Sequence, residues 1–361
     1  MNENRLDNLD EHQEELLKSY WLSLISSIDL DPSRFVQSKN GEELFYLFGL
    51  DHPDGILLRW LRARKWQIPS ALQLMLDTLQ WRQQWGVRKL LSNGENDLNN
   101  DECSSGKTYH MGKDKRGRPL TYVHTSEHIR GQFPLQDTEK FLVLIMETGR
   151  YLPSDGIEEG TVVLDMSNVA LKNLDYQHIK FMINTMQNYY PECLANAFIV
   201  NAPWTFNTVW SVIKPWLDPV VESKIRFIKT SKDLTEFIHP DSIPRRLEGN
   251  QPDFKYIPLT KQDQQRLKTF RENQQGFQRA QSEHQQAAKH FLELTIKWAK
   301  SKQKTNQDRI NAIQSLKDSF EQLLPYVTTE TFYHRTGIIN HHIFNQTFQQ
   351  ITNDDEQTTR L

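Results

Sequence analysis

Apolar side chains recur at helical spacing through the first 90 residues of the chain. In residues 9–28 they fall every three or four positions, which predicts an amphipathic helix built on Leu16, Leu17, Tyr20, Trp21, Leu24 and Ile25. A second, strongly basic helical segment covers residues 54–66, and a third begins at Pro69 and ends at Gly86. We therefore predict a helical lobe over residues 1–90. Residues 91–105 are rich in Asn, Asp, Gly and Ser, which predicts a linker or loop.

From residue 106 the pattern changes to short strands that alternate with helices. Two strand candidates, 107–111 and 120–124, flank the turn GKDKRGRP, and further strands are predicted within 161–167, 197–203 and 224–229. Helical segments lie between them, so the order predicts an α/β domain with parallel pairing over residues 106–250. Residues 251–350 indicate one or two long helices, and residues 351–361 a flexible tail.

The composition excludes several classes of protein. A formal net charge of −3 over 361 residues gives no global field that would attract nucleic acid, so no nucleic-acid partner is expected. The two cysteines, Cys103 and Cys193, do not make a disulfide framework. The polar N-terminus does not look like a signal peptide, and no apolar run reaches the length of a membrane-spanning helix. These features predict a soluble, cytoplasmic protein.

Sequence motifs for catalysis are absent. The chain has no glycine-rich phosphate loop, no G-x-S-x-G elbow and no H-E-x-x-H helix. Asp165, at the end of a predicted strand, is as consistent with capping the following loop as with a catalytic carboxylate. We therefore expect neither enzymatic activity nor a metal or other cofactor beyond a bound lipid.

Six motifs occur in an order that is typical of one family. They are LLRWLRARKW with the helix after it (57–87), DKRGRPLTYV (114–123), VVLDMSN (162–168), NYYPECLANAFIVNAPWTF (188–206), KPWLDPVVESKI (214–225) and IPRRLEGN (243–250). Together they resemble the Sec14-like CRAL-TRIO lipid-transfer proteins. With a helical C-terminal extension that ends in FYHRTGII (332–339), the chain most resembles the fungal CSR1-type phosphatidylinositol transfer proteins.

The resemblance implies a fold and a mode of action. A helical CRAL-TRIO-N lobe would pack on an α/β CRAL-TRIO lobe, whose small mixed sheet lines an apolar lipid pocket. A mobile gate helix would close that pocket. Within NAPWTFNTVWSVIKPWLDPVVESKI (201–225), the predicted inner face and pocket lining are Phe206, Val209, Trp210, Ile213, Trp216 and Leu217. In this segment Pro215 predicts a bend, and Asp218 with Pro219 predicts the start of another helix.

Charged residues within the matching motifs are the candidate headgroup site. Arg64 would ordinarily be part of a solvated basic helix face, Glu192 a favourable charge at a helix start, and Lys224 a surface lysine. In the resembling family these positions contact or organise an inositol phosphate, a ligand suited to cations with an acceptor beside them. Tyr109, His110 and Tyr122 on the predicted hairpin are candidate polar residues of the pocket, with core packing as the alternative.

The resemblance implies a cytosolic protein that binds one lipid, with phosphatidylinositol as the first candidate, and exchanges it during transient contact with membranes. A phosphatidylcholine site is not supported, because the hydroxyl-rich strand start of the family is reduced here to Thr161. The alternative is a lipid-sensing module or scaffold that docks a protein partner through its C-terminal helices, with a sterol-like or isoprenoid ligand. The membrane concerned, whether endoplasmic reticulum, endosome or lipid droplet, is left open.

Overall fold

The structure, a computed structural model, describes residues 6–32, 38–152, 157–302, 306–340 and 342–359. Its chain divides into two compact units. A helical unit contains residues 1–92, 260–330 and 340–361, and an α/β unit contains residues 93–259 and 331–339. Neither unit is one continuous stretch of the chain, because the C-terminal region contributes to both.

The helical unit contains the following α-helices among its described residues: α1 (Glu11–Ser27), α2 (Lys39–Phe48), α3 (Pro53–Ala63), α4 (Ile68–Trp85), most of α5 (Val87–Asn93), α11 (Lys261–Glu272), α12 (Gln274–Ala299), α13 (Gln307–Val327) and α15 (His342–Thr359). Local signals set several of the ends. Asp10 and Gln13 form a capping box at the start of α1, and Gly86 ends α4 with a positive φ of 84°. The predicted helical N-terminal lobe is confirmed.

Aromatic side chains from both ends of the sequence fill the core of the helical unit. Trp21 of α1 contacts Phe48 of α2 and Phe291 of α12 edge to face, with ring centroids 5.8 and 5.6 Å apart. Beside these rings the carboxylate of Asp54 forms two hydrogen bonds with the guanidinium of Arg309, at 2.6 and 2.8 Å. Both side chains are buried. Helices α12 and α13 are therefore part of this core rather than an appendage to it.

The α/β unit is built on a five-stranded sheet in the order β1 (Thr108–Lys113), β2 (Pro119–His124), β3 (Gly160–Asp165), β4 (Leu194–Val200) and β5 (Ile225–Ile228). Strands β1 and β2 form an antiparallel hairpin, and β2 to β5 pair in parallel. The helices of this unit are α6 (Asn100–Ser104), α7 (Leu135–Gly149), α8 (Tyr176–Tyr189), α9 (Phe206–Ile213), α10 (Pro219–Ser223) and α14 (Phe332–Arg335). The predicted small mixed sheet is confirmed.

Short 3-10 helices complete the described structure at Leu6–Asn8, Gly94–Asp97, Thr125–Glu127, Leu171–Asn173, Lys214–Trp216, Ser231–Glu236, Pro240–Ser242 and Arg245–Leu247. The prediction of a linker or loop over residues 91–105 is wrong about local structure, because the end of α5, the 3-10 helix Gly94–Asp97 and α6 occupy most of it. In the tail predicted as flexible, residues 351–359 belong to α15, and residues 360 and 361 lie outside the described residues.

Residues 331–339 bring the C-terminal region back to the α/β unit. Both oxygens of the buried Glu95 carboxylate are used there. The backbone N–H of Phe332 donates to Oε1 at 2.5 Å, and Arg335 donates to Oε2 at 2.6 Å. The Phe332 ring also packs against Phe254 and Tyr256, at 5.0 and 5.7 Å between centroids. Residues 331–339, which we call the strap, are thus an internal part of the α/β unit.

Candidate functional site

The two faces of the sheet are covered to different extents. On one face the side chains of Leu120, Tyr122, Val163, Phe198 and Val200 are almost completely buried, at 0–1% exposed. The alternating positions point to the opposite face. There Thr121, Val123, Val162, Leu164 and Ala197 remain half-buried. One face is therefore a closed core, and the other is a largely apolar surface on which Ile199 is buried and the side chains named above are less completely covered.

Helix α9 and its neighbours cover part of this second face. Phe206 belongs to the apolar cluster of Met166 and Ile199, and the half-buried Val209 and Trp210 pack against that cluster. The rings of Phe206 and Trp210 also lie 6.3 and 5.3 Å from Phe227 of β5. The predicted inner face of the gate helix thus lies toward the sheet.

The remaining predicted gate residues continue this cover beyond α9. Ile213, the last residue of α9, is buried, and the half-buried Trp216 and Leu217 follow in and after the 3-10 helix Lys214–Trp216. The α-helix stops immediately before Lys214, and Pro215 lies within the 3-10 turn, in agreement with a break at the proline. Asp218 caps α10 by accepting a hydrogen bond from Val220, with Pro219 at the first turn, as predicted.

Gln187 on α8 fixes the end of this segment. Its amide nitrogen donates to the carbonyl oxygen of Trp216 at 3.2 Å, and its amide oxygen accepts from the backbone N–H of Asp218 at 2.5 Å. The ring of Tyr176, also on α8, meets the Trp216 ring edge to face at 6.2 Å. We call residues 206–217 the gate segment and the Gln187 contacts its latch. Nothing in the local sequence marks Gln187 as a contact of this segment, so its role could not be predicted.

Glu192 and Lys224 come together where β4 and β5 begin. The Lys224 ammonium lies 3.6 Å from the Glu192 carboxylate, and about a fifth of each side chain is exposed. The pairing of neighbouring strands accounts for this proximity, since the carbonyl of Lys224 accepts from Ala197 of β4. Glu192 has a positive φ of 57°, which is uncommon for a residue with a side chain. Two of the three predicted headgroup residues are therefore adjacent.

Arg64, the third predicted headgroup residue, belongs to the helical unit. It is the C-cap residue of α3, and its guanidinium donates to the carbonyl of Ala63 at 3.2 Å. The next two residues, Lys65 and Trp66, both have positive φ, which turns the chain sharply toward α4. The basic segment thus ends in a tight turn with Arg64 at its start, and the predicted phosphate contact of Arg64 stays a prediction.

Tyr109 and Tyr122 lie in the closed core on the first face of the sheet. The Tyr109 ring stacks between Tyr122 and Phe254, at 5.7 and 4.4 Å. Its hydroxyl hydrogen-bonds Nε2 of His124 at 2.9 Å, and Tyr122 donates to the carbonyl of Ser242 at 2.6 Å. Burial raises the pKa of both tyrosines. The alternative interpretation, core packing, accounts for these contacts.

His110 is buried and held in one tautomer. Its Nε2 lies 2.9 Å from the carbonyl of Ile145 and must donate to it, so Nδ1 accepts from the hydroxyl of Thr121 at 2.9 Å. The backbone N–H of His110 donates to the hydroxyl of Tyr333 in the strap. Burial lowers the pKa of His110 to about 4, so the ring is neutral at pH 7. These contacts also fit core packing.

Asp165 ends β3, where a catalytic carboxylate was one of the two interpretations. Its Oδ2 hydrogen-bonds Nδ1 of His124 at 3.0 Å, and its Oδ1 accepts from the backbone N–H of Ser167. Burial alone would raise the pKa of Asp165, but the hydrogen bonds from His124 and Ser167 outweigh it and lower the pKa to about 2. A buried carboxylate with these partners supports the capping interpretation.

Comparison with known proteins adds to this geometry. The family model "CRAL/TRIO domain" matches residues 104–249, and "CRAL/TRIO, N-terminal domain" matches residues 6–77. The chain belongs to the CRAL-TRIO family. The predicted resemblance to Sec14-like proteins is therefore confirmed. No helix among the described residues is long and apolar enough to cross a bilayer.

Fungal CRAL-TRIO proteins are among the relatives. A CRAL-TRIO domain-containing protein of Schizosaccharomyces pombe is 34% identical over 298 residues, which cover 80% of this chain and 66% of that protein. The phosphatidylinositol transfer protein CSR1 of Eremothecium gossypii is 32% identical over 311 residues, or 82% of this chain and 71% of the relative. The crystal structure of Sfh5 aligns with a TM-score of 0.47 and 20% identity, over 63% of this chain and 84% of that one. The family and the CSR1 relative support a lipid-binding or lipid-transfer class for the chain.

Proposed function

We propose that this protein binds one phospholipid, phosphatidylinositol, on the apolar second face of its sheet and transfers it between membranes. The gate segment would close over the acyl chains in water and move aside at a bilayer. The protein would work in the cytoplasm, associate peripherally with membranes, and have no catalytic activity. The observation that carries the proposal is the half-buried apolar face beneath the gate segment.

The unequal burial of the two faces supports a ligand on the second one. Protein interiors are packed as densely as organic crystals, so side chains of a finished core are fully buried, as on the first face. Val123, Val162 and Leu164 are only half-buried, although they lie in the middle of the sheet. Acyl chains would complete the packing against them.

The free energy of extraction requires such an apolar surface. A lipid that leaves a bilayer loses about 0.8 kcal/mol for each methylene, so a lipid with ~30 methylenes needs on the order of 25 kcal/mol of replacement burial. A hydrogen bond to a charged group contributes only about 1.5–3 kcal/mol. The apolar face would therefore supply the affinity, and polar contacts would select the headgroup.

The Glu192–Lys224 pair supports phosphatidylinositol as the headgroup. The pair is partly exposed, so neither charge is locked in the protein interior. The ammonium can contact a phosphate, and the carboxylate can accept hydrogen bonds from ring hydroxyls or orient the ammonium. A relative named a phosphatidylinositol transfer protein is consistent with this choice. Arg64 is the remaining candidate phosphate contact.

Mass spectrometry of lipid extracted from purified protein tests the proposal. We expect about one lipid per protein, enriched in phosphatidylinositol. Lys224→Ala and Arg64→Ala should lose phosphatidylinositol selectively, and the apolar face should still retain other lipids. Lys268→Ala is a matched control, because Lys268 forms a 3.7 Å ion pair with Glu272 on the exposed surface of α11.

The outcomes separate the two parts of the proposal. Purified protein without stoichiometric lipid would count against lipid binding altogether. Unchanged phosphatidylinositol in both variants would reject the headgroup assignment and leave the apolar site standing. A sterol or isoprenoid in the extract would keep the pocket and replace the ligand.

A further inference from the structure

Three connections of the α/β unit each expose a large apolar side chain. Ile129 lies after β2, Leu171 after β3 and Trp204 after β4, with 38, 83 and 85% of their surfaces exposed. Exposed apolar residues are common one at a time, so the informative feature is that these three lie on neighbouring connections. The exposure of these three side chains therefore raises the question of which surface they contact.

The three connections leave the sheet at one edge. Because β2, β3 and β4 are parallel, their carboxyl ends lie side by side. Hydrogen bonds hold the first two connections together. The N–H of Arg130 donates to the carbonyl of Lys172 at 2.9 Å, and the Asn173 amide donates to the carbonyls of Ser126 and His128. The amide of Asn201, at the start of the third connection, donates to the hydroxyl of Ser167 in the second.

The same edge carries positive charge. Arg130 and Lys172 are the chain neighbours of Ile129 and Leu171, and Lys229 follows β5 at the same end of the sheet. Within the part of the chain that the structure describes, none of these three cations forms an ion pair. Glu127, the acidic residue of the first connection, is neutralised by Arg246 at 2.8 Å. Arg130 and Lys172 thus stand directly beside two of the three apolar tips.

We propose that this edge, formed by Ile129, Leu171, Trp204 and the neighbouring cations, is the surface that docks on an anionic lipid bilayer. Protruding apolar side chains enter the headgroup region, tryptophan is favoured at that depth, and cations are attracted to acidic lipids. A protein partner would instead require a continuous packed surface, whereas these side chains stand on separate connections. The proposal rests on the proposed function, since it names the surface by which a lipid-transfer protein meets its membrane.

The proposed docking edge lies opposite the candidate headgroup pair. Glu192 precedes β4 and Lys224 precedes β5, so both lie at the amino ends of the parallel strands. The seven residues of β4 separate the two edges by roughly 23 Å at about 3.3 Å per residue. A lipid spanning the apolar face would then have its headgroup farthest from the bilayer and its acyl chains nearest to it. Its hydrocarbon could remain in contact with the membrane until the last step of extraction.

Vesicle cosedimentation of the full chain tests this surface. The test compares vesicles of phosphatidylcholine alone with vesicles that also contain phosphatidylserine. Leu171→Asp and Trp204→Ala should each weaken binding about tenfold. Arg130→Ala and Lys172→Ala should each weaken binding about fivefold, on the phosphatidylserine vesicles only. The four substituted side chains are all exposed, so we expect the variants to fold as the unmodified chain does.

Val220→Asp is the matched control. Val220 is 46% exposed and lies on α10, which precedes β5 and therefore stands at the opposite edge of the sheet. We expect its vesicle binding to be unchanged. Equal losses in Val220→Asp and Leu171→Asp, full binding by Leu171→Asp, or indifference to phosphatidylserine would each overturn the proposal.

Lipid analysis of the same samples keeps this test separate from the proposed function. If the variants retain their bound lipid but lose vesicle binding, the docking surface is supported independently of the pocket. If the unmodified protein carries no lipid and still binds vesicles through this edge, the docking surface stands and the transfer function fails. Unmodified protein that carries lipid but does not sediment with either vesicle would reject the docking surface alone.

Discussion

Gln187 offers a direct test of whether the gate segment controls lipid release. Its side chain makes the two latch hydrogen bonds, to the carbonyl of Trp216 and from the N–H of Asp218. If the segment must leave α8 before lipid can exit, both bonds break in the opening step. Gln187→Ala removes them from the closed state and leaves the open state unchanged.

The size of the effect follows from the surroundings of these bonds. Each is a neutral hydrogen bond, for which a net contribution of about 0.5–1.5 kcal/mol is typical. The Asp218 end is exposed, so water replaces part of what is lost and the lower half of that range applies. A total of ~1–2 kcal/mol corresponds to a roughly 5- to 30-fold shift of the equilibrium toward the open state.

The assay is stopped-flow transfer of fluorescent phosphatidylinositol from loaded protein to an excess of acceptor vesicles. We expect Gln187→Ala to accelerate release by about 5- to 30-fold. Gln187→Leu keeps the size of the side chain and removes the hydrogen bonds, so it should behave similarly. Asn184→Ala, on an exposed position of the same helix, should release lipid at the original rate.

A release rate that stays within about twofold of the original in both Gln187 variants, with normal lipid loading, would refute the reasoning. It would mean that opening does not break the latch, or that opening does not limit release. Faster release in Asn184→Ala as well would point to a general loosening of α8.

Three further predictions concern stability. Lys224→Ala should change the free energy of unfolding by less than ~1 kcal/mol, because its ion pair is partly exposed, and urea titration checks that its effect on lipid is not an unfolding effect. Arg309→Met should lower the free energy of unfolding by about 3–5 kcal/mol, because it leaves the buried Asp54 carboxylate without its cation. A midpoint of urea unfolding, followed by tryptophan fluorescence, that does not move would contradict this. The Arg309→Met deficit should also shrink as the pH falls below 4. Burial alone would raise the pKa of Asp54, but Arg309 outweighs it and lowers the pKa below its ordinary value of 3.8. Stability from this carboxylate is therefore present above pH 3.8 and lost as the pH falls through the lower native pKa. A deficit that is constant from pH 7 to acid pH would show that charge pairing is not the cause.

The local pattern of the sequence was sufficient to predict the helices and strands that carry the candidate site. The presence of the strands, the break at Pro215 and the start of α10 at Asp218 and Pro219 depend on neighbouring residues, and all were predicted, although β4 begins and ends three residues earlier than predicted. The latch was not, because a glutamine on a helix has no local signal for a partner 29 residues away. Glu192 and Lys224 were selected through the family motifs, and their proximity follows from the pairing of β4 with β5.

The segment 91–105 shows why composition misled the prediction of a linker. Its content of Asn, Asp, Gly and Ser suggested a polar linker or loop, yet Glu95 and Glu102 are buried. Glu95 binds Arg335 of the strap, and Glu102 forms an ion pair with Lys107. The partner of Glu95 lies 240 residues away, so no local pattern could indicate that this glutamate is internal. Charged residues in a polar segment can be core residues when distant cations meet them.

The C-terminal region bears on how the scaffold alternative can be tested. Deleting residues 260–361 would appear to separate a recruiting extension from a transfer domain. The structure makes that deletion unsuitable, because α12 contributes Phe291 to the core of the helical unit and α13 contributes Arg309. The same deletion removes the strap, which leaves Glu95 buried in the α/β unit without Arg335. Loss of transfer after deletion would then report unfolding rather than recruitment.

Substitutions at exposed positions avoid this confusion. Ile310→Asp on α13 is suitable, since 44% of Ile310 is exposed. Unchanged transfer with loss of a bound protein partner would support the scaffold alternative, and unchanged partner binding would argue against that surface.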